Sequence, residues 1–158
     1  MVFCFRLVLL MISVICWCAC YTTRGNDQAP TYSLCEIVRN PAKFDKKIVH
    51  TRAIFFSNTE NQVLYDPDCD EDDVSIWAAF GDSYTYSSEE TKVAFNQLLC
   101  PTPSCLRGKV AVEIVGRFDS TDNNGYGHLS AYRFRFVIMQ IKRAETVTRD
   151  SPRRIPSS

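Results

Sequence analysis

Lys109 to Phe118, KVAVEIVGRF, alternates apolar and polar residues with a period of two. Val110, Val112 and Ile114 fall on one side, and Lys109, Glu113 and Arg117 fall on the other side or its edge. That is the pattern of a strand with one face in a core. Gly116 interrupts the run where a strand can bulge or bend sharply. Downstream, Ala131–Ile141 (AYRFRFVIMQI) alternates again, with Tyr132, Phe134, Phe136 and Ile138 set against Arg133 and Arg135. Between the two runs, Asp119–Gly127 (DSTDNNGYG) is dense in turn formers.

Upstream, Lys47–Ser57 (KIVHTRAIFFS) is rich in β-branched and aromatic residues and reads as a first long strand. A turn over Asn58–Asn61 leads to a second strand, Gln62–Tyr65. A third, Val74–Phe80 (VSIWAAF), places Val74, Ile76, Ala78 and Phe80 on one face. Ser87–Leu99 (SSEETKVAFNQLL) reads as a helix capped by Ser87 or Ser88. Glu89 and Glu90 sit in its first turn, and Val93, Leu98 and Leu99 form its apolar side. A shorter helix opens the domain within Thr31–Pro41, capped by Ser33 and carrying Leu34, Ile37 and Val38; Asn40-Pro41 ends it, and a turn follows over Ala42–Lys46.

The order is helix, three strands, helix, two strands. It predicts a mainly β fold: a five-stranded OB-like Greek-key barrel with a leading short helix and a helix between strands three and four. Another small antiparallel barrel, or an open α+β sheet, is the competing architecture.

Several short stretches strengthen the first choice. Leu34-Cys35-Glu36, then Asn40-Pro41 and Phe44-Asp45-Lys46-Lys47-Ile48-Val49, resemble the opening of small secreted bacterial OB-like proteins of uncharacterised function. Tyr65-Asp66-Pro67-Asp68-Cys69, Val115-Gly116-Arg117-Phe118 and Gly127-His128-Leu129 followed by Tyr132 are similar to the same group. Lys46 stands where that pattern usually carries Gly. The resemblance spans roughly residues 33–142 and implies fold and export. It does not choose among oligonucleotide, oligosaccharide and protein as ligand.

The composition agrees with one small globular domain. The chain has 158 residues, 46% apolar and 23% charged, and its 18 basic residues equal its 18 acidic ones. A zero net charge argues against a dedicated nucleic-acid binder, whose affinity comes mainly from excess basic charge. Residues 1–20 read as a signal segment, with Arg6 ahead of the apolar run Leu7–Trp17. Cleavage after Cys20, lipidation of Cys20 and an uncleaved anchor are the three ways it can be handled. A polar linker over 21–31, a domain over 32–147 and a disordered, Pro- and Ser-rich tail over 148–158 complete the expected organisation.

Of the 8 cysteines, four lie in the signal segment. Cys35, Cys69, Cys100 and Cys105 remain, an even set in an exported chain. Among the three pairings, Cys35–Cys69 with Cys100–Cys105 is favoured, because Pro-Thr-Pro-Ser holds the close pair in a stiff loop. The spacing lacks the Cys-x-x-Cys knuckles of a zinc site. Asp66, Asp68 and Asp70 match the start of a calcium loop, but Glu71 and Trp77 stand where that loop needs Gly and a bidentate Glu. The acidic run is therefore expected to be a solvated connection, with no metal and no cofactor.

The candidate binding residues are Arg52, Tyr65, Trp77, Arg117, Tyr126, His128, Arg133 and Arg135, a basic-aromatic strip of the kind that stacks rings and meets anions. His50 is placed toward the barrel interior with Ile48 and Ile54. No nucleophile elbow, phosphate loop or His-Glu-x-x-His is present in the sequence. The expected function is a non-enzymatic, exported binding or scaffold module of the cell envelope. Its partner would be an envelope protein or glycan rather than nucleic acid, and membrane contact would run only through the N-terminal segment or a lipid. The alternatives are a secreted, nuclease-like hydrolase using Asp82, Glu113 or Asp119, and a structural lipoprotein.

Overall fold

The computed structural model describes residues 29–69, 75–100, 107–120 and 124–148. The elements run α1 (Leu34–Arg39), α2 (Pro41–Phe44), β1 (Ile48–Ser57), β2 (Gln62–Tyr65), β3 (Ile76–Tyr86), α3 (Glu89–Leu99), β4 (Gly108–Asp119) and β5 (Arg135–Glu145). The fold is mainly β. Its five strands pair in the cyclic order β1-β2-β3-β5-β4, so that β4 returns to β1 and the sheet closes in a ring. All neighbours are antiparallel except β3 and β5, which run parallel. Among the described residues no helix is long and apolar enough to cross a membrane.

The alternation in the strands builds the interior. Val49, Ala53 and Phe55 of β1, Val110, Val112 and Ile114 of β4, and Phe136 and Ile138 of β5 share one buried cluster with Ile76 and Ala78 of β3. His50 is on the opposite, outer face. The reason is the phase of β1: Val49, Thr51, Ala53 and Phe55 are the inward set, whereas Ile48 is 43% exposed.

Helices complete this core. Ser33 caps α1 by accepting from the Glu36 amide, and Leu34, Ile37 and Val38 are buried. The stretch after Asn40 is helical rather than a plain turn. Pro41 at the first position is pre-set for a helix and lacks the N–H that would go unpaired there, so the chain starts the short α2 and buries Phe44. In α3, Ser88 accepts from the Thr91 amide. Its buried anchor is Phe95, which meets Phe55, Phe80 and Tyr86 with ring centroids 5.6, 6.5 and 5.9 Å away. Val93 faces outward at 44% exposure, while Leu98 and Leu99 pack partly against the core.

Two strand boundaries move. β3 continues past Phe80 to Tyr86, and β5 begins at Arg135 and runs to Glu145. The residues ahead of β5 form an isolated Tyr126–Tyr132 bridge around a 3₁₀ turn over His128–Ser130. Gly116 lies at a register shift between β4 and β5. An added Cβ there would sit 2.3 Å from the Phe136 ring and 2.4 Å from the Val137 carbonyl oxygen, so the close approach of the two strands needs a residue without a side chain.

Cys35 and Cys69 are joined by a disulfide, with Cα atoms 5.4 Å apart. It ties α1 to the segment after β2, and closing such a loop contributes on the order of 3 kcal/mol by restricting the unfolded chain. Cys100 is disulfide-bonded as well. Cys105, its expected partner, lies outside the described residues, as do Cys20, Asp70, the signal segment, most of the linker and nearly all of the tail.

Candidate functional site

The irregular part of β3 adjoins a concavity. Between the pairs Phe80–Ile138 and Thr85–Gln140, β3 advances five residues while β5 advances two. The excess residues, Gly81 to Tyr84, form a bulged arch within β3. Beneath it is a cleft of about 520 Å³. Ala79, Val137 and Met139 line it from the sheet, Arg117 and Arg135 from one edge, and Asp82, Ser83, Tyr84 and Thr85 from the arch. The volume lies within the roughly 300–1,000 Å³ of small-molecule sites.

The arginines are held by Asp119, whose side chain is fully buried. Arg117 Nε donates to Asp119 Oδ1 at 2.9 Å, and its Nη2 to Oδ2 at 3.3 Å. Arg135 donates from Nε at 2.9 Å and from Nη2 at 2.7 Å, both to Oδ2. Lys46 Nζ adds a third cation 3.2 Å from Oδ1. Burial alone would push the Asp119 carboxyl up, but hydrogen bonds from Arg117, Arg135 and Lys46 outweigh it and hold the group below the usual carboxylate range. Three cations thus share one anion, which leaves a surplus of positive charge beside the cleft. Tyr126 lies under the Arg135 guanidinium, 4.7 Å from ring centroid to Cζ.

Lys46 reaches this cluster through an unusual backbone. Its φ is +60°, in the left-handed region that favours glycine. Here that backbone is adopted by a lysine rather than a glycine. The Lys46 amide donates to the Phe118 carbonyl at 2.7 Å, beside the Asp119 that its side chain pairs with.

The remaining residues of the expected strip divide. Trp77 pairs in register with Arg135 on the same sheet and packs against Tyr132 at 5.5 Å. Gly127, at φ +73°, leaves room for the Trp77 ring, which an added Cβ would meet at 2.3 Å. Tyr132 is anchored by donating to Asn61 Oδ1 at 2.9 Å. Arg133 covers the Phe134 ring instead, and His128 is exposed in the 3₁₀ turn. Tyr65 ends β2, half-buried, and burial pushes its phenol up.

Arg52 belongs to a second cluster. Its Nε and Nη2 donate to Glu113 Oε2 at 3.2 and 2.9 Å. His50 Nε2 lies 2.9 Å from Glu113 Oε1, and its Nδ1 lies 3.0 Å from Thr31 Oγ1. Burial raises Glu113, but the hydrogen bond and charge of Arg52, with the charges of His50 and Arg143, bring it below the usual range. The depression beside it is only about 20 Å³.

In the acidic loop, Asp66 Oδ1 accepts from the Asp68 amide at 3.0 Å, an Asx turn that occupies this carboxylate locally. Asp66 Oδ2 is 3.7 Å from Cys35 Sγ, a packing contact, because a disulfide sulfur has no proton to donate. Burial pushes the Asp66 carboxyl up. The three clustered groups Cys35, Asp66 and Cys69 do not form a metal cradle while the two sulfurs are bonded to each other. Asp68 is exposed.

Sequence reasoning missed Lys46, Ser83, Tyr84 and Thr85. The β-rich Tyr84-Thr85-Tyr86 was the available signal that β3 resumes after Gly81-Asp82-Ser83. Comparison of the chain with protein families, curated proteins and solved structures returned no match.

Proposed function

We propose that this chain is an exported binding module of the cell envelope, built on an OB-type barrel, which takes an anionic ligand beneath the β3 arch. The observation that carries the reading is the gathering of Arg117, Arg135 and Lys46 on the single buried carboxylate of Asp119 at the edge of the 520 Å³ cleft. One guanidinium suffices to pair a carboxylate. The surplus attracts an anion into a partly desolvated recess, where its charge is worth more than in bulk water.

The cyclic strand order, the parallel β3–β5 pair and the helix between β3 and β4 support the OB-type barrel, since that arrangement is expected of this Greek-key form. Export is supported by the Cys35–Cys69 bond, which persists in oxidising compartments, and by the apolar character of residues 1–20. Cleavage after Cys20, lipidation of Cys20 and retention as an uncleaved anchor are the three fates that segment allows. A general-acid role for Glu113 or Asp119 is disfavoured, since both are held below the ordinary carboxylate range. A general acid working near neutral pH needs the opposite shift.

Hydrogen exchange of the purified chain, with and without a panel of envelope glycans, oligonucleotides and peptides, tests the reading. Protection of the 81–85 arch by at least one anionic member is the expected result. Binding that leaves the arch unprotected, or no binding by any member, would overturn it.

A further inference from the structure

The chemistry on the two sides of the cleft differs, and the difference narrows the ligand class. One edge is cationic. Arg117 and Arg135 each commit Nε and Nη2 to Asp119, a pairing that does not use their Nη1 groups. Both guanidiniums are partly open to solvent, at 44% and 34% exposure. Fixed from behind, they lose little freedom when they meet a planar anion, and a guanidinium edge matches a carboxylate well.

The arch opposite is neither cationic nor apolar. It offers Asp82, Ser83 and Thr85, all exposed, and the ring of Tyr84. Tyr84 is 39% exposed, yet its ring is propped by Phe80 at 4.7 Å and Tyr86 at 5.7 Å. An exposed ring supported on two sides is a ready platform for the apolar face of another ring. A carboxylate among hydroxyls, as Asp82 stands here, accepts hydrogen bonds from neutral hydroxyl donors. The same carboxylate repels a chain of closely spaced phosphates. The recess therefore combines an anion edge, a stacking surface and a hydroxyl-accepting wall.

We infer that the cleft binds a carboxylated sugar residue of an acidic saccharide. Its carboxylate meets Arg117 and Arg135, its ring lies on Tyr84, and its hydroxyls donate to Asp82. This inference rests on the proposed binding role of the cleft and adds the ligand class.

The test is a titration of the isotope-labelled chain followed by ¹H–¹⁵N spectra, with trigalacturonate, its neutral galactose counterpart, inorganic phosphate and an oligothymidylate as probes. Trigalacturonate is expected to shift the amides of residues 81–85 and the side-chain NεH groups of Arg117 and Arg135, with affinity at least tenfold above the neutral trisaccharide. Tyr84→Ala and Asp82→Asn should each weaken it several-fold, while Asp82→Asn leaves phosphate unchanged or tightens it. Arg135→Gln should abolish the preference for the charged sugar. Because that variant also disturbs Asp119, the exposed Asp82 and Tyr84 variants carry the decision. Equal affinity for charged and neutral trisaccharides, or no effect of either arch variant, overturns the inference. Arch shifts with phosphate or oligothymidylate but not with trigalacturonate also overturn it, and leave the cleft standing as an anion site. Silence of the arch toward every probe removes both proposals.

Discussion

Glu113 and Asp119 stand on the same strand, face outward, and are each gripped by arginine, yet their surroundings diverge. Glu113 is 16% exposed and faces the regular β1–β4 ladder, where Arg52 pairs with it directly in register. Asp119 is fully buried and faces β5, beyond which β3 leaves register and arches away. One carboxylate adjoins a dent of about 20 Å³ and the other a cleft of about 520 Å³. Similar charged ingredients thus give a latch in one place and a recess edged with guanidinium in the other. The backbone of a neighbouring strand makes the difference.

The largest effect should come from neutralising the two carboxylates in turn. Asp119→Asn keeps the shape but leaves three cations around a buried amide, and breaking a buried ion pair in this way costs about 3–5 kcal/mol. Glu113→Gln leaves its partners nearer to water and should cost roughly 1 kcal/mol. Urea denaturation of both variants measures the contrast through the midpoint. Equal losses would dissolve the distinction between the two clusters.

Acid should reproduce the same contrast by titration. Both carboxyls have folded pKa values below their unfolded ones. The unfolded chain therefore binds more protons over this range, and stability rises with pH. The contribution is fully present above the ordinary carboxylate range, about pH 4, and is lost as pH falls through the depressed folded values. Thermal melts between about pH 6 and 2 should show a steeper acid loss in the wild type than in Asp119→Asn, with Glu113→Gln intermediate. A wild-type slope identical to that of Asp119→Asn would mean that Asp119 is not held ionised.

Gly116 separates the two clusters along β4, and its replacement should strike them unequally. A Cβ there would press on the Phe136 ring and the Val137 carbonyl, pushing β4 off β5 while the β1 side is untouched. Gly116→Ala is expected to cost at least the 1–3 kcal/mol of an overpacked core. It should disturb the Asp119–Arg135 pair before the Glu113–Arg52 pair, which side-chain NεH resonances of the two arginines report. Loss of the Arg52 resonance first would contradict this.

These residues also mark what was legible in the chain beforehand. Val110, Val112 and Ile114 announced β4 because period-two burial is written in residue type, and Gly116 announced its irregularity because few other residues permit it. The Cys35–Cys69 pairing followed from element order. The arch did not follow: Gly81-Asp82-Ser83 looks the same whether a strand ends there or swells and resumes, and only pairing with Ile138 and Gln140 decides. The phase of β1 was misjudged because Ile48 and Ile54 look as apolar as Val49 and Phe55, and the sheet's outer face also buries side chains such as Ile54. Arg117 and Arg135 were recognisable as candidates. Their common anchor, Asp119, reads in the sequence only as a hydrolytic carboxylate and Lys46 only as a turn residue, since ion pairs that cross 73 residues of sequence leave no local spacing.

Lys46 offers the finest division between the clusters, because at this position backbone and charge oppose each other. Its left-handed φ costs a non-glycine residue roughly 1 kcal/mol, and its half-exposed ammonium returns at most about 1 kcal/mol through Asp119. Lys46→Ala keeps the strain and loses the ion pair, so it should lower stability by up to about 1 kcal/mol. Lys46→Gly loses the same pair but relieves the strain, and should fall within about 0.5 kcal/mol of the wild type. Both remove one positive charge beside the cleft, so both should weaken anion binding alike while differing in melting temperature. If glycine destabilises as much as alanine, the turn is not strained and the lysine is kept for its charge alone. If only the alanine variant binds less anion, the backbone rather than the ammonium shapes the recess.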